Sequence, residues 1–234
     1  MSKTVKRKGK VRPMLVRAVM TPNPVTVTEE TTVHEAMEAM QKGNFGRLLV
    51  TRGDRLVGIV TELDLMRISP SAATTLSIWE QNALLAKMRV KDVMTTDPVT
   101  IGPDATVEEA ALLMRDLHIS GLPVVENDKV IGIVTERDLF DAFVDLMHAP
   151  KPGARITLRV VNEIGVLAKM TRVVSDLGIN ILAIAAFDDE EDEDNVHSFV
   201  VLKVDTKDTE RLIEALEAVG FSVVHQGFGG SQVK

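Results

Sequence analysis

The sequence predicts an α/β (α+β) architecture in two parts, a pseudo-two-fold pair of β-α-β-β-α units and a C-terminal βαββαβ domain. An internal repeat predicts the pair, since VMTPNPVTV from Val19 returns as VMTTDPVTI from Val93. GIVTELDL from Gly58 likewise returns as GIVTERDL from Gly132, at the same offset of 74 residues. A repeat that keeps its spacing indicates two copies of one folded unit that bury their faces against each other.

A linker rich in proline and glycine, APKPG at residues 149–153, separates the repeats from the C-terminal part. These residues interrupt both helices and strands, which favours a domain boundary at this position. We therefore expect four segments: a basic N-terminal tail at 1–17, the first repeat at 18–75, a connecting helix with the second repeat at 76–149, and a C-terminal domain at 154–234.

Each repeat has the pattern of a strand, a helix, two strands and a second helix. The segment PVTV has the β-branched residues of a strand. Thr32 then precedes a helix, and Glu35 follows three residues later, which is the spacing of a capping box. The strands RLLVT and LVGIV flank the turn RGD, and a second helix follows Thr61. Thr106 and Glu109 repeat the capping pattern in the second copy.

The C-terminal part has a different pattern. RITLRVV alternates like a strand, the apolar positions from Val166 to Leu177 recur at helical spacing, and Ile179 to Phe187 form an apolar strand. The acidic run at 188–194 predicts a solvated turn before the strand VHSFVVLKV, a helix and the final strand FSVVHQ. This order is the ferredoxin-like β-α-β-β-α-β arrangement.

The composition limits the chemistry that the chain can perform. The 234 residues contain no cysteine, which excludes disulfides, thiolate metal sites and cysteine nucleophiles. The five histidines show no paired metal-ligand spacing, so we expect no metal site. No apolar run approaches the roughly 20 residues that cross a bilayer, and the N-terminus lacks the apolar region of a secretory signal. We therefore expect a cytoplasmic protein without membrane contact.

The net charge of −7 is distributed unevenly. Residues 1–17 carry seven basic groups and no acidic group, so the remaining residues carry −14. Such a tail can contact nucleic acid or anionic ligands. It has no aromatic residue for base stacking, and we favour a flexible solubilising terminus over a nucleic-acid partner.

The two repeats resemble CBS motifs that form a tandem CBS pair, or Bateman module. The resemblance is carried by Met20-Thr21, Pro24-Val25-Thr26 and GIVTELDL, each with its copy. The C-terminal part resembles an ACT domain through RITLRVV, the turn at 162–165 and LGINI at 177–181. The order as a whole resembles the AcuB-type (acetoin-utilisation) proteins, which implies a regulatory link to acetoin utilisation.

A threonine three positions before an aspartate occurs at a strand-to-helix junction in both repeats, as Thr61 with Asp64 and Thr135 with Asp138. The aspartate can accept hydrogen bonds from both hydroxyls of a ribose, and the threonine can donate to a phosphate near the helix N-terminal amides. The same spacing also caps the following helix. Two intact copies favour nucleotide binding over capping alone.

The CBS resemblance implies two crossed clefts, in which the Thr/Asp pair of one repeat faces a wall from the other repeat. In the first cleft, Thr135 and Asp138 would face Pro24, Val25, Thr26 and Asn44 to Gly46. In the second cleft, Thr61 and Asp64 would face Pro98, Val99, Thr100 and His118 to Ser120. A phosphate also needs a cation, and besides the basic tail the nearest candidates are Arg47 and Arg137.

The ACT resemblance leaves two roles open. One role is amino-acid binding at a subunit interface, with Asn162 and Gly165 in the turn after the first strand and Asn180 at the entry to the second strand. Gly165 leaves room for a close backbone approach, and the start of the next helix suits a carboxylate. The other role is dimerisation through sheet edges or helices, which we slightly favour.

These features predict a regulatory sensor without catalytic activity. Its effector would be an adenosine-containing compound such as AMP, ATP, NAD(H) or S-adenosylmethionine, with no required cofactor, and the chain would form a homodimer. An enzyme is disfavoured because no segment is left over for a catalytic domain. The alternatives are a structural dimerisation or adaptor protein with unoccupied clefts, and a nucleic-acid-associated regulator that uses the basic tail.

Overall fold

The computed structural model describes residues 14–68, 87–192, 194 and 196–229. The connecting helix predicted between the repeats and most of the basic tail lie outside the described residues. Every helix in the described ranges is too short or too polar to cross a bilayer. The chain divides into two compact units, residues 1–139 and 140–234, and each is described by itself.

The first repeat contains the strands and helices that the sequence predicts, preceded by two short elements. In chain order these are α1 (Val16–Val19), β1 (Thr21–Pro22), β2 (Thr26–Val27), α2 (Val33–Gly43), β3 (Arg47–Arg52), β4 (Arg55–Thr61) and α3 (Glu62–Ile68). After a 3-10 helix at Val90–Asp92, the second repeat contains β5 (Thr95–Thr96), α4 (Val107–Leu117), β6 (Gly121–Glu126), β7 (Lys129–Thr135) and α5 (Glu136–Leu146). The expected strand PVTI of the second repeat is reduced to one bridge, between Ile101 and Val124.

Both predicted capping boxes are present. The Glu35 amide donates to the Thr32 hydroxyl at 3.1 Å, and the Thr32 amide donates to the Glu35 carboxylate at 2.8 Å. The corresponding distances for Thr106 and Glu109 are 3.0 Å and 2.7 Å. Because these bonds satisfy amides that have no partner inside the helix, they fix where α2 and α4 begin.

The two repeats exchange their first strands. β1 of the first repeat pairs antiparallel with β7 of the second, with Thr21 opposite Ile133. β5 of the second repeat pairs with β4 of the first in the equivalent register, with Thr95 opposite Ile59. One sheet therefore has the strand order β2-β3-β4-β5, and the other has the order β1-β7-β6. Each sheet is completed by a strand from the other repeat.

Two glycines make room for the exchanged strands. A side chain at Gly132 would overlap the sulfur of Met20, and a side chain at Gly58 would overlap the sulfur of Met94. Each methionine directly precedes an exchanged strand. The repeated Gly-Ile-Val and Met-Thr segments are therefore packed against each other across the repeats.

The C-terminal unit has a ferredoxin-like fold, which confirms the prediction. Its elements after α5 are β8 (Gly153–Val161), α6 (Val166–Asp176), β9 (Ile181–Asp188), β10 (His197–Val204), α7 (Thr209–Ala218) and β11 (Ser222–Gly229). The antiparallel sheet has the order β11-β8-β10-β9. Side chains from the two helices and the central strands form its core, which includes Ile156, Leu158, Met170, Val174, Leu202, Leu212 and Leu216.

Candidate functional site

A cavity of about 590 Å³ lies in the first unit between segments of both repeats. Cavities of this size commonly bind small organic ligands. The first repeat contributes the chain after β1 and the junction of α2 with β3, and the second contributes the end of β7 and the start of α5. The lining residues are Thr21, Asn23, Pro24, Val25, Asn44, Phe45, Gly46, Arg47, Leu49, Ser120, Ile133, Thr135, Glu136, Arg137 and Asp138.

The strand exchange brings the two walls of this cavity together. Because Thr21 pairs with Ile133, the chain after β1 runs beside β7. The Asn23 amide donates to the carbonyl of Ile131 at 3.1 Å, which extends the contact beyond the two-residue strand. The residues that follow Asn23 therefore line the same cavity as Thr135 at the end of β7.

Thr135 and Asp138 form a local hydrogen-bonded cap at the start of α5. The Thr135 hydroxyl donates to Asp138 Oδ2 at 2.7 Å, and the Thr135 amide donates to the same oxygen at 2.9 Å. The Asp138 amide donates back to the Thr135 hydroxyl at 3.4 Å. The capping role is thus present. Among the described residues no hydrogen bond involves Asp138 Oδ1, which leaves one carboxylate oxygen for a ligand.

Arg47, the first residue of β3, is half-buried in the lining of the cavity. Its Nη2 donates to the Ser120 hydroxyl at 2.8 Å and so links the two repeats. Burial lowers the pKa of Arg47 from its ordinary value, while the negative charges of Glu136 and Asp138 oppose this shift. Arg137 lies on the exposed side of α5 and lines the same cavity.

The apolar part of the lining comes from both repeats, and it includes Val25, Phe45, Leu49 and Ile133. The ring of Phe45 lies over Gly43, where any side chain would overlap it. Aromatic and aliphatic surfaces of this kind suit a flat heterocycle. The cavity therefore combines an apolar wall, two carboxylates and two guanidinium groups.

The structure brings together most of the residues expected in the first cleft, and it places two residues differently from the expectation. Thr26 does not line the cavity, because it begins β2, where successive side chains point to opposite faces. It lines a separate pocket with Thr51 and Asp54. Ser120, which the sequence assigns to the second cleft, lines the first, and its side chain binds Arg47 there.

Several lining residues are missing from the sequence prediction. Thr21 and Asn23 reach the cavity through the strand exchange, which leaves no local pattern in the sequence. Leu49 and Ile133 have the pattern of ordinary strand residues. Glu136 follows Thr135 directly, so its position next to the Thr/Asp pair could have indicated that it lines the cavity.

The Thr61–Asp64 pair has nearly the same geometry as its counterpart. The Thr61 hydroxyl donates to Asp64 Oδ2 at 2.7 Å, and the Asp64 amide donates back at 3.2 Å. Pro98, Val99 and Thr100 follow β5, while His118 ends α4 with a left-handed backbone, φ 53°. Of these, Val99, Thr100 and His118 are exposed. The second cleft stays a prediction.

A smaller pocket of about 260 Å³ lies at the turn after β8 in the C-terminal unit. Asn162, Gly165 and Ser198 are among its lining residues, and Gly165 has a positive φ of 91° at the start of α6. Asn180 does not join them within one chain. It precedes β9, whose other end pairs with the start of β10 near Asn162, so the two asparagines lie at opposite ends of the sheet.

The fold and the family comparisons define the class of protein. The CBS domain family matches residues 16–71 and 90–145, and the ACT domain family matches residues 154–221. The chain belongs to the CBS-domain proteins and carries a tandem CBS pair followed by an ACT domain.

Particular relatives each match less than two thirds of this chain. A CBS domain-containing protein of Dictyostelium discoideum is 31% identical over 141 residues, which cover 59% of this chain and 97% of the relative. Inosine-5'-monophosphate dehydrogenase of Korarchaeum cryptofilum is 38% identical over 141 residues, 60% of this chain, and the match spans only 25% of that enzyme. A crystal structure described as an acetoin utilization protein (AcuB) from Vibrio cholerae has 27% sequence identity and a TM-score of 0.48, over 57% of this chain and 93% of that chain.

Proposed function

We propose that this protein senses an adenosine-containing compound, which binds in the first cleft. The observation that carries the proposal is the cavity of about 590 Å³ in which the Thr135–Asp138 pair shares a lining with an apolar wall from the other repeat. A regulatory role without catalysis is supported by the domain content that the families match, a CBS pair and an ACT domain.

The chemistry of the lining supports a nucleoside. Asp138 Oδ1 can accept a hydrogen bond from a ribose hydroxyl while Oδ2 keeps the helix cap, and hydrogen bonds to a charged acceptor are the stronger ones. Val25, Phe45 and Leu49 offer apolar surface to the adenine ring. A ligand that touches both walls favours the arrangement of the repeats in which both contacts are made.

We propose that the ACT domain joins two chains in a homodimer and offers an amino-acid site at the pocket near Asn162 and Gly165. The same turn carries Ile164, whose side chain is fully exposed, and exposed apolar side chains in a cluster mark partner surfaces. Leu167 and Val161 are exposed close by along the chain. A role in acetoin utilisation and a cytoplasmic location stay predictions.

The Asp138→Ala variant tests the ligand site. Saturating AMP should raise the melting temperature of the wild type, because a ligand at 100 times its Kd stabilises the native state by about 2.7 kcal/mol. The variant should lose most of this shift, because it removes the ribose acceptor. Differential scanning fluorimetry and calorimetric titration of the full chain measure the effect.

Asp64→Ala is the matched control, because it removes the same cap from the other repeat. Both variants should lose about 1 kcal/mol of stability without ligand, as expected for a helix cap. Asp138→Ala should lose more of the response to AMP than the loss of a helix cap, which it shares with Asp64→Ala, explains. An unchanged response in Asp138→Ala would contradict the assignment.

A further inference from the structure

A second pocket of the first unit, of about 360 Å³, lies at the turns of the two central hairpins. Its lining comes from the end of β3, the turn between β3 and β4, and the start of β7. Asn23 and Pro24 are the two residues that line both this pocket and the first cleft, whereas Thr135 and Asp138 line the first cleft alone. We call this second space the turn pocket.

Contacts between the two repeats hold the turn pocket in shape. Lys129 Nζ donates to Asp54 Oδ2 at 2.9 Å, and the Val130 amide donates to the carbonyl of Asp54 at 3.3 Å. The Asn23 amide donates to the carbonyl of Ile131 at 3.1 Å. Both the turn of the first repeat and the chain after β1 are therefore bonded to the start of β7.

The Thr51 hydroxyl is a buried polar group without a partner. Thr51 is only 7% exposed, and it lines the turn pocket. No hydrogen bond of the described residues involves its hydroxyl. In the same part of the chain, every side-chain oxygen or nitrogen that is sealed from the surface has a partner, so the Thr51 hydroxyl opens into the pocket. Because a buried hydroxyl without a hydrogen bond costs free energy, a ligand atom that bonds to it would be stabilised there.

The other polar groups of the lining indicate the chemistry of the ligand. The Thr26 hydroxyl, the Asn23 side-chain amide and Asp54 Oδ1 have no hydrogen bond among the described residues. Hydroxyl and amide groups both donate and accept, and a free carboxylate oxygen accepts strongly. The charges of Asp54 and Lys129 cancel, so the lining has no net charge that would attract an ion. A neutral molecule with several hydroxyl groups can bond to all these groups without breaking the ion pair.

The second repeat does not reproduce this set of groups. Val125, which has no hydroxyl, stands at the position equivalent to Thr51. Asp128 stands at the position equivalent to Asp54, but in the described ranges it forms no ion pair with Arg55 across the repeats. We therefore expect one pocket of this kind per chain. The valine at 125 also shows that the repeated backbone accommodates valine at this position.

We propose that the turn pocket binds a neutral polyhydroxylated molecule of about the size of a monosaccharide. Thr51 is the inner contact, and Asp54 is the charged acceptor at the exposed rim. The volume lies in the lower part of the range of roughly 300–1,000 Å³ that is common for ligand sites. This site is separate from the first cleft, and it does not rest on the proposed function.

NMR titration of the 15N-labelled full chain with ribose, xylitol and glucose tests the proposal. At least one of these probes should produce saturable shifts of the backbone amides at Thr51, Gly53 and Val130. Saturation distinguishes binding from the general effect of sugars, which are excluded from protein surfaces. Thr51→Val should lower the affinity about five- to tenfold, because it removes one hydrogen bond and keeps the shape of the side chain.

A matched pair of variants tests the rim. Asp54→Asn should also lower the affinity several-fold, because an amide oxygen is a weaker acceptor than a carboxylate. Asp128→Asn makes the same change in the equivalent turn and should leave the affinity unchanged. If Thr51→Val does not fold, this pair decides, and equal affinities in Asp54→Asn and Asp128→Asn would contradict the proposal.

Three further results would overturn the proposal. The first is the absence of saturable shifts with all three probes, and the second is an unchanged affinity in a folded Thr51→Val variant. The third is a set of shifts confined to the amides around Asp138, which would place the probe in the first cleft. A failure of AMP to bind would contradict the proposed function alone, since the turn pocket is titrated without a nucleotide.

Discussion

At single positions, the two repeats have different side chains on the same backbone. The ring of Phe45 faces the first cleft because the helix before it ends in Gly43. The second repeat has Leu117 and Ile119 at these positions. A large residue at 117 is therefore matched by a smaller one at 119, and only the first repeat offers an aromatic ring to its cleft.

Gly43→Ala should weaken ligand binding without unfolding the protein. The added methyl group would displace the Phe45 ring from the lining, and we expect AMP affinity to fall several-fold. The stability should change by less than about 1 kcal/mol, because alanine is the better helix former and the ring can turn. Calorimetric titration and urea denaturation measure the two effects.

Gly102→Ala is the control, because a side chain there would meet no other atom within 4 Å. It should leave the affinity unchanged. If Gly43→Ala also leaves the affinity unchanged, Phe45 does not form part of the ligand wall.

Among the elements, the exchanged strands are short but important for the position of the cleft wall. β1 and β5 have two residues each, yet β1 carries the wall of the first cleft to the Thr135–Asp138 pair. Where the two strands begin, Met20 lies against Gly132 and Met94 lies against Gly58. The two contacts are equivalent, but only the first adjoins the cavity described above.

Gly132→Ala should push Met20 away from β7 and loosen β1. We expect a loss of about 1–3 kcal/mol in the free energy of unfolding, typical of an overpacked contact, together with weaker AMP binding. Gly58→Ala should lose comparable stability through β5 but keep its affinity for AMP. Denaturation and titration of the two variants side by side check this, and an equal loss of affinity in both would show that β1 does not shape the site.

Among the described residues, the apolar cluster of the C-terminal unit and that of the first repeat have no residue in common. The core of the C-terminal unit contains residues of that unit alone, such as Leu158 and Leu202. The first repeat has its own cluster, with Leu48 and Val60. Units with independent cores can unfold as independent cooperative blocks.

Calorimetric unfolding should therefore resolve two transitions, and AMP should raise only one of them by mass action. Leu158→Ala, a cavity mutation in the core of the C-terminal unit, should lower the transition that AMP leaves unchanged. A single transition, or equal shifts of both transitions with AMP, would contradict separate blocks.

Local patterns in the sequence predicted most of the fold. Thr32 with Glu35 and Thr106 with Glu109 fixed two helix starts, because a capping box is made by residues that are close in sequence. The strands β1 and β5 escaped prediction, because two residues show no periodicity and each strand exists only through its partner in the other repeat. The different positions of Thr26 and Ser120 have the same origin. Side-chain direction and contacts between repeats decide which surface a residue lines.

The strand exchange also has a consequence for fragments of the chain. β4 and β7 each use a borrowed strand as their outer neighbour. A polypeptide with a single repeat would expose that side of its sheet, with backbone amides and carbonyls left unpaired. Open edges of this kind recruit strands from other molecules, which is a route to aggregation. In the duplicated chain each repeat thus covers a sheet edge of the other, and we expect a fragment with a single repeat to aggregate.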